Sequence, residues 1–370
     1  LSGAEALRRR RLGFVATSLR PGGSGVQTYV RELLGALSYL ADADLAAFVP
    51  GDVRGELPSS VREQTVPSSS VWARTASALT PRLGFDLVHG LDKLVPLGGR
   101  GPVVVTIHDL AAYDVPWAFS GHKAALERVL VARSVRRADL VVVPSAFVAA
   151  RVWERFHRNA FVTPEAPASW ARRPTPEEVA RARDHFGLPE RFVLYVGNVE
   201  ARKGLEHLTW ALEHVELPLV VVGQALARAT PGRLPPLAQV LGWLPSAELP
   251  GVFGAATLAV YPSLYEGFGL PPLEAARCGC PVVATKVGAL GEVLGDAAVL
   301  VPPGDPESLA TALVELYSDD ERRSELAQRA EERVGRLSWQ ASALWTLAAY
   351  REVGVDLLGD RVPPDLSGHT

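Results

Sequence analysis

Glu266 and Glu274 stand on either side of seven residues in the run Tyr-Pro-Ser-Leu-Tyr-Glu-Gly-Phe-Gly-Leu-Pro-Pro-Leu-Glu, residues 261–274. A carboxylate accepts hydrogen bonds and cannot donate them. The pair therefore suits a ligand rich in hydroxyl groups, such as a hexose and a ribose. The surroundings fit that use. An apolar strand carrying Leu258 and Val260 ends at Pro262, and Gly267 and Gly269 let the backbone turn with its amides exposed. Pro271 and Pro272 suit the first turn of a helix. Free amides at a helix start bind anions and hydroxyls.

The Glu-x7-Glu spacing, together with Glu-Gly-Phe-Gly-Leu-Pro at 266–271, closely resembles the retaining nucleotide-sugar glycosyltransferases of family 4, also called glycosyltransferases group 1. The likeness continues through Pro281 to Thr285, Val287 to Val293 and Ala298 to Pro306, and recurs weakly along nearly all of the chain. It implies the GT-B fold: α/β, two Rossmann-like domains facing across a cleft, and a C-terminal helix crossing back to the first domain. It also implies that Glu274 binds the donor's ribose hydroxyls. Glu266 and the amides of Phe268, Gly269 and Leu270 would hold the hexose and phosphate. Apart from the resemblance, the same segment reads as a Gly/Pro turn bearing two solvated glutamates.

Asn198-Val199-Glu200-Ala201-Arg202-Lys203-Gly204 follows the apolar strand Phe192 to Val196. The resemblance makes Lys203 the lysine that binds the donor phosphates, with Arg202 beside it. A fixed cation there would stabilise the departing nucleoside diphosphate. Many relatives carry Arg where this chain has Asn198, which leaves open whether Arg202 supplies the second positive charge or one is missing. The plain alternative is two solvated cations before a helix. Gly22 and Gly23, in Gly22-Gly23-Ser24-Gly25 after the first strand, can bring bare amides close to a diphosphate, or form an ordinary turn. His108 ends the strand Val103 to Ile107, where α/β proteins place ligand-binding residues. The resemblance puts it near the donor sugar, against the simpler reading of a strand-end histidine. Gly223, after Leu219 to Val222, is a loop glycine near the nucleotide or a turn.

The elements that must position these residues follow from periodicity. Strands are expected at Leu12 to Ser18, Leu45 to Val49, Leu87 to His89 and Leu140 to Val143 in the first half. In the second they are expected at Gln239 to Leu241, Leu258 to Tyr261, Val282 to Ala284 and Ala298 to Val301. Val30, Leu33, Leu34 and Leu37 recur at helical spacing. Val162 to Pro176, with four prolines and no period, reads as a linker. The domains are therefore set at 1–165 with 343–370 crossing back, and 166–342. The tail from Leu358 is expected to be loosely attached.

With 370 residues, 48% of them hydrophobic, the chain can build two cores. No stretch approaches the roughly 20 apolar residues of a membrane span, and a cytoplasmic enzyme is expected. Residues 1–165 hold 20 Lys and Arg against 15 Asp and Glu, and the remainder 18 against 26. Lys123, Arg128, Arg133, Arg136 and Arg137 read first as a solvated helix face. They could also meet an anionic membrane peripherally or a phosphate-bearing acceptor. Cys278 and Cys280 lack the partners of a zinc site and read as small buried residues. Asp42-Ala43-Asp44 imitates a metal-binding Asp-x-Asp but falls in a turn. No metal and no cofactor are expected, and no nucleic-acid partner. Trp72, Trp117 and Phe119 are candidates for stacking on a sugar ring or, more simply, packing residues.

The reading that results is a retaining glycosyltransferase, independent of metal, moving a hexosyl group from a nucleotide-sugar to a hydroxyl of a glycan, lipid-linked or small-molecule acceptor. Mannose from GDP-mannose is the first choice, and UDP- and dTDP-sugars come next. The rivals are a nucleotide-sugar epimerase or phosphorylase of the same fold and a non-catalytic sugar-nucleotide-binding subunit.

Overall fold

Valine-rich runs dominate both halves of the chain, because a parallel strand covered by helices on both faces has no solvent side on which to place polar residues. The structure, a computed structural model, describes residues 9–20, 25–67, 71–80, 84–99, 101–223, 234–235 and 238–365. The chain divides into two compact units. The first comprises Leu1–Tyr113, Gly121–Glu165 and Trp339–Gly368, and the second comprises Asp114–Ser120 and Ala166–Ser338. Position 343, the return point read from the sequence, lies inside the helix Trp339–Glu352.

The first unit contains β1 (Arg10–Val15), β2 (Ala43–Pro50), β3 (Val61–Val66), β4 (Leu87–Gly90), β5 (Val103–Thr106), β6 (Leu140–Val143) and β7 (Ala160–Val162). They form one parallel sheet in the order β3-β2-β1-β4-β5-β6-β7. The helix Gly25–Leu40 buries Val30, Leu33, Leu34 and Leu37, the stripe its spacing demands. The helix Trp339–Glu352 packs against it within the same unit.

The second unit repeats the plan with β8 (Val193–Val196), β9 (Leu219–Val222), β10 (Ala238–Gly242), β11 (Leu258–Tyr261), β12 (Val282–Thr285) and β13 (Val299–Val301). Their order is β10-β9-β8-β11-β12-β13, again all parallel. In each sheet the strand order reverses beside the first strand, between β1 and β4 and between β8 and β11. Loops leaving the two neighbours diverge there and open a crevice at the carboxyl ends. The pairing of β8 with β11 stops at Leu194 and Ala259, before either strand ends.

Three expectations from sequence need correction. β3 went unread because Val-Arg-Glu-Gln-Thr-Val is an edge strand with polar residues on both faces. The linker read at Val162 to Pro176 has no helix or strand from 163 to 175, between β7 and the helix Pro176–Phe186, and the division between the two units falls within it. That helix buries little but is fixed by a complete capping box at Thr175 and Glu178. Leu358 is buried and Arg361 donates to the Leu40 carbonyl, so the tail is anchored at least that far. Finally, the basic helix Gly121–Arg137 is only partly a solvated face: Arg128 donates to the Ala112 carbonyl and Arg133 to that of Val95.

Gly288, after β12, has φ +54°, and a Cβ added there would lie 1.7 Å from the Glu266 carbonyl oxygen. Gly304 has φ +71° with nothing near its would-be Cβ. Gly304→Ala is expected to cost the left-handed penalty of about 1–2 kcal/mol. Gly288→Ala should cost clearly more and displace the turn carrying Glu266; urea unfolding of the two variants side by side checks this.

Candidate functional site

In the second unit the site is built on the two strands that flank the reversal of order. β8 delivers the segment 197–204 and β11 delivers 262–269. Leu264 donates its amide to the Arg202 carbonyl at 2.8 Å, which ties the two segments together. Gly204, with φ +65°, permits a close approach to the Pro262 carbonyl, where a Cβ would sit at 2.1 Å. Between these ties Lys203 and Glu266 meet. The Lys203 Nζ lies 2.6 Å from Glu266 Oε1, and Arg202 Nη1 lies 3.6 Å from Glu266 Oε2. Ser263 Oγ donates to Glu266 Oε1 at 2.7 Å. Arg202 is shared with Glu200, whose Oε2 is 2.9 Å from its Nε.

The pair is buried: the side chains of Lys203 and Glu266 are 13% and 7% exposed. Burial alone would raise the Glu266 carboxyl. The charges of Lys203 and Arg202, with hydrogen bonds from Lys203 and Ser263, outweigh it and hold Glu266 below the ordinary carboxylate range. The alternative of two solvated cations therefore does not describe Arg202 and Lys203. An ammonium has three hydrogens, and the Glu266 contact accounts for one.

Phe268 and Leu270 are buried at the start of the helix Leu270–Arg277, and Gly269 takes φ +93° as its N-cap. Pro271 and Pro272 have no amide hydrogen. The donors without an intrahelical partner at this end therefore reduce to Gly269 and Leu270, with Phe268 just before them. Glu274 is 8% exposed on the same helix, and its charge helps to push the neighbouring Tyr261 phenol upward, after burial. Asn198 is exposed, its carbonyl accepting from the Tyr195 hydroxyl at 2.9 Å. Gly223, φ +141°, lies at the end of β9, where a Cβ would meet the Gly197 carbonyl at 2.1 Å. Asp114, on the segment Asp114–Ser120, accepts from the Tyr265 hydroxyl at 3.1 Å, next to Glu266. Trp117 in that segment is 57% exposed.

In the first unit His108 follows β5 and is held on both ring nitrogens. Nδ1 lies 2.8 Å from Glu165 Oε1, and Nε2 lies 2.9 Å from the Leu91 carbonyl. Behind it runs a buried chain: the Tyr29 and Thr106 hydroxyls at 2.8 Å, Thr106 to His89 Nε2 at 2.8 Å, and His89 Nδ1 to the Tyr350 hydroxyl at 2.8 Å. Burial, then the nearby charge of His108, lowers His89 to about 3, so His89 is neutral. Glu165 was missed in the sequence because it sits among prolines and alanines with no motif around it. Gly22 and Gly23, and the side chain of Trp72, lie outside the described residues.

The decoys are accounted for. Asp42 and Asp44 are exposed and paired with Arg9 at 2.9 and 3.7 Å. Cys278 and Cys280 are free, buried thiols, and burial pushes Cys278 up to about 12. Among the described residues no group of three His, Cys, Asp or Glu side chains gathers in the manner of a metal site, and no helix is long and apolar enough to cross a membrane.

Two doubly wound parallel sheets make an architecture of the GT-B type, and comparison with known proteins identifies the class as glycosyltransferase. Sucrose-phosphate synthase from Thermosynechococcus elongatus shares the fold with a TM-score of 0.74 at 24% identity, over 94% of this chain and 99% of that one. Residues 177–333 match the family described as Glycosyl transferases group 1, and residues 23–164 match Glycosyltransferase Family 4. D-inositol 3-phosphate glycosyltransferase from Corynebacterium urealyticum is 31% identical over 73% of this chain and 72% of its own. O-antigen chain mannosyltransferase B from Escherichia coli is 29% identical over 72% of each. The chain belongs to the group 1, family 4 glycosyltransferases.

Lys203→Met alone leaves the Glu266 charge buried without its main partner and should cost about 3–5 kcal/mol. Combining it with Glu266→Gln should recover most of that loss in urea unfolding. The pH dependence has a fixed sign. Stability contributed by Glu266 is present above the usual glutamate value of about 4.3 and lost as pH falls through its lowered value.

Proposed function

We propose that the chain transfers a hexosyl group with retention from a nucleotide-sugar to an acceptor hydroxyl, and that the donor binds at the β8–β11 crevice. The observation that carries this reading is the buried Lys203–Glu266 contact, with Arg202 beside it, where the strand order reverses. Lys203 keeps its charge on the crevice and offers its remaining hydrogens to the diphosphate, with Arg202 as a second cation. Glu266 takes sugar hydroxyls, Glu274 the ribose hydroxyls, and the amides of Phe268, Gly269 and Leu270 a phosphate or sugar oxygen. As the bond from the anomeric carbon to the leaving oxygen breaks, the negative charge develops against cations already in place. The acceptor oxygen attacks from the face the leaving group vacates, and its proton passes to the departing phosphate. Two cations take the charge that a metal carries in other transferases, so the route needs none.

Mannose from GDP-mannose is the first choice of donor, supported by the likeness to O-antigen chain mannosyltransferase B. The acceptor falls to the first unit. Its helix Gly121–Arg137 exposes Val129 at 65% in line with the exposed Arg136, a face suited to an anionic membrane surface or a phosphate-bearing acceptor.

The test is a panel of GDP-mannose, UDP-glucose and dTDP-glucose incubated with the full chain and EDTA, first alone and then with candidate acceptors. We expect one nucleotide class to release free nucleoside diphosphate slowly, faster with an acceptor, and to give a product whose NMR coupling shows the donor's anomeric configuration. An inverted product contradicts the mechanism. Conversion of the sugar without an acceptor, or consumption only with free phosphate, would favour an epimerase or a phosphorylase. Binding without turnover would favour a non-catalytic subunit.

A further inference from the structure

Both ring nitrogens of His108 face oxygens that act as acceptors, the Glu165 carboxylate on Nδ1 and the Leu91 carbonyl on Nε2. A carbonyl has no hydrogen to give, so Nε2 must carry one. Either Nδ1 carries a second and the ring is an imidazolium against a carboxylate, or the proton sits on Glu165 and the pair is neutral. The surroundings favour the charged form. Asp92, in the loop after β4, adds negative charge. The Tyr29 ring, from the helix Gly25–Leu40, stands perpendicular to His108 with centroids 4.6 Å apart. His89, on β4, is neutral and brings no competing cation. Asp109, next in the chain, is occupied by the Ala111 amide at 2.9 Å. Burial alone would lower His108. The hydrogen bond and charge of Glu165, then Asp92 and the Leu91 carbonyl, outweigh it and hold the ring above its usual value.

Glu165 is itself fixed. It is 4% exposed, and the main chain just before it is held by two hydrogen bonds. The Thr163 amide donates to the Val143 carbonyl at 2.8 Å, and the Ser342 hydroxyl donates to the Pro164 carbonyl. Burial and the anchored main chain keep the carboxylate beside the ring.

We propose that Glu165 is a positioning residue that holds His108 as a permanent imidazolium, so that in glycosyl transfer the ring supplies positive charge and takes no proton from the acceptor. With a hydrogen on each nitrogen already committed, neither can serve as a base. The acceptor proton then goes to the leaving phosphate oxygen as the anomeric carbon exchanges one oxygen for another. The proposal rests on the glycosyltransferase reading for its second half alone.

The experiment labels the histidines of the full chain with 15N and reads the ring nitrogens of His108 by NMR, with His108→Gln supplying the assignment. In the unmutated protein both nitrogens should be protonated at pH 7.5. Glu165→Gln should bring the ring's titration down by about one to three pH units. In that variant the turnover rate should begin to fall at correspondingly lower pH, with donor Kd unchanged. A neutral ring with one hydrogen at pH 7.5 in the unmutated chain overturns the proposal, and so does an unchanged titration in Glu165→Gln. Should Glu165→Gln fail to fold, the unmutated spectrum decides alone. An imidazolium in a chain that turns over no donor would leave the pairing standing and remove its role in transfer.

Discussion

Burying Glu266 is tolerable because Lys203 lies 2.6 Å away, with Arg202 and Ser263 in support, and the Lys203 contact requires two loops from different strands to close on each other. A buried carboxylate without a partner would give up its charge or unfold its surroundings. Much of the second unit's local detail follows from meeting this demand. Gly204 takes a left-handed turn so that its backbone can approach Pro262, Gly288 does the same under Glu266, and Ser263 fills another acceptor position of the carboxylate. Thr285, at the end of β12, holds the Ser263 carbonyl in turn. A charge pair so surrounded is preorganised: an arriving anion finds its counter-charge already desolvated and fixed.

The first unit meets a similar demand with different residues. There the carboxylate is Glu165 and the cation is His108, again at the carboxyl end of a central strand. Behind the pair, the hydroxyl chain from Tyr29 to Tyr350 ties β4, β5, the helix Gly25–Leu40 and the returning helix Trp339–Glu352 into one buried network. The returning helix thus contributes a polar partner to the sheet as well as apolar cover. Both units place a cation where a doubly wound sheet binds ligands, and each does so by burying an acid beside it.

Much of this was legible in the sequence, and the reasons are local. Strands such as β5, β9 and β12 are short valine-rich runs that few other structures accommodate, and the helix Gly25–Leu40 shows its apolar stripe at helical spacing. Glu266 and Glu274 stood out by their spacing across a Gly/Pro-rich turn, and Lys203 through the resemblance to the family 4 glycosyltransferases. The sequence hid what depends on distant partners. β3 is polar enough to pass for a loop until β2 pairs with it, and the helix Pro176–Phe186 depends on a capping box more than on a stripe. Glu165 carries no motif, and only the fold brings it to His108 across 57 positions of sequence. Nor could the sequence show that Lys203 and Glu266, each read as binding a different part of the donor, form one ion pair.

The central claim is that this pair receives the donor's charged half, and calorimetric titration tests it most directly. The nucleoside diphosphate of the active donor is titrated, at one ionic strength, into the unmutated chain and into the Lys203→Met, Glu266→Gln double variant, which preserves a neutral, filled site. Loss of a charge-assisted contact should weaken binding about tenfold or more. Equal affinity in the two proteins would contradict the account.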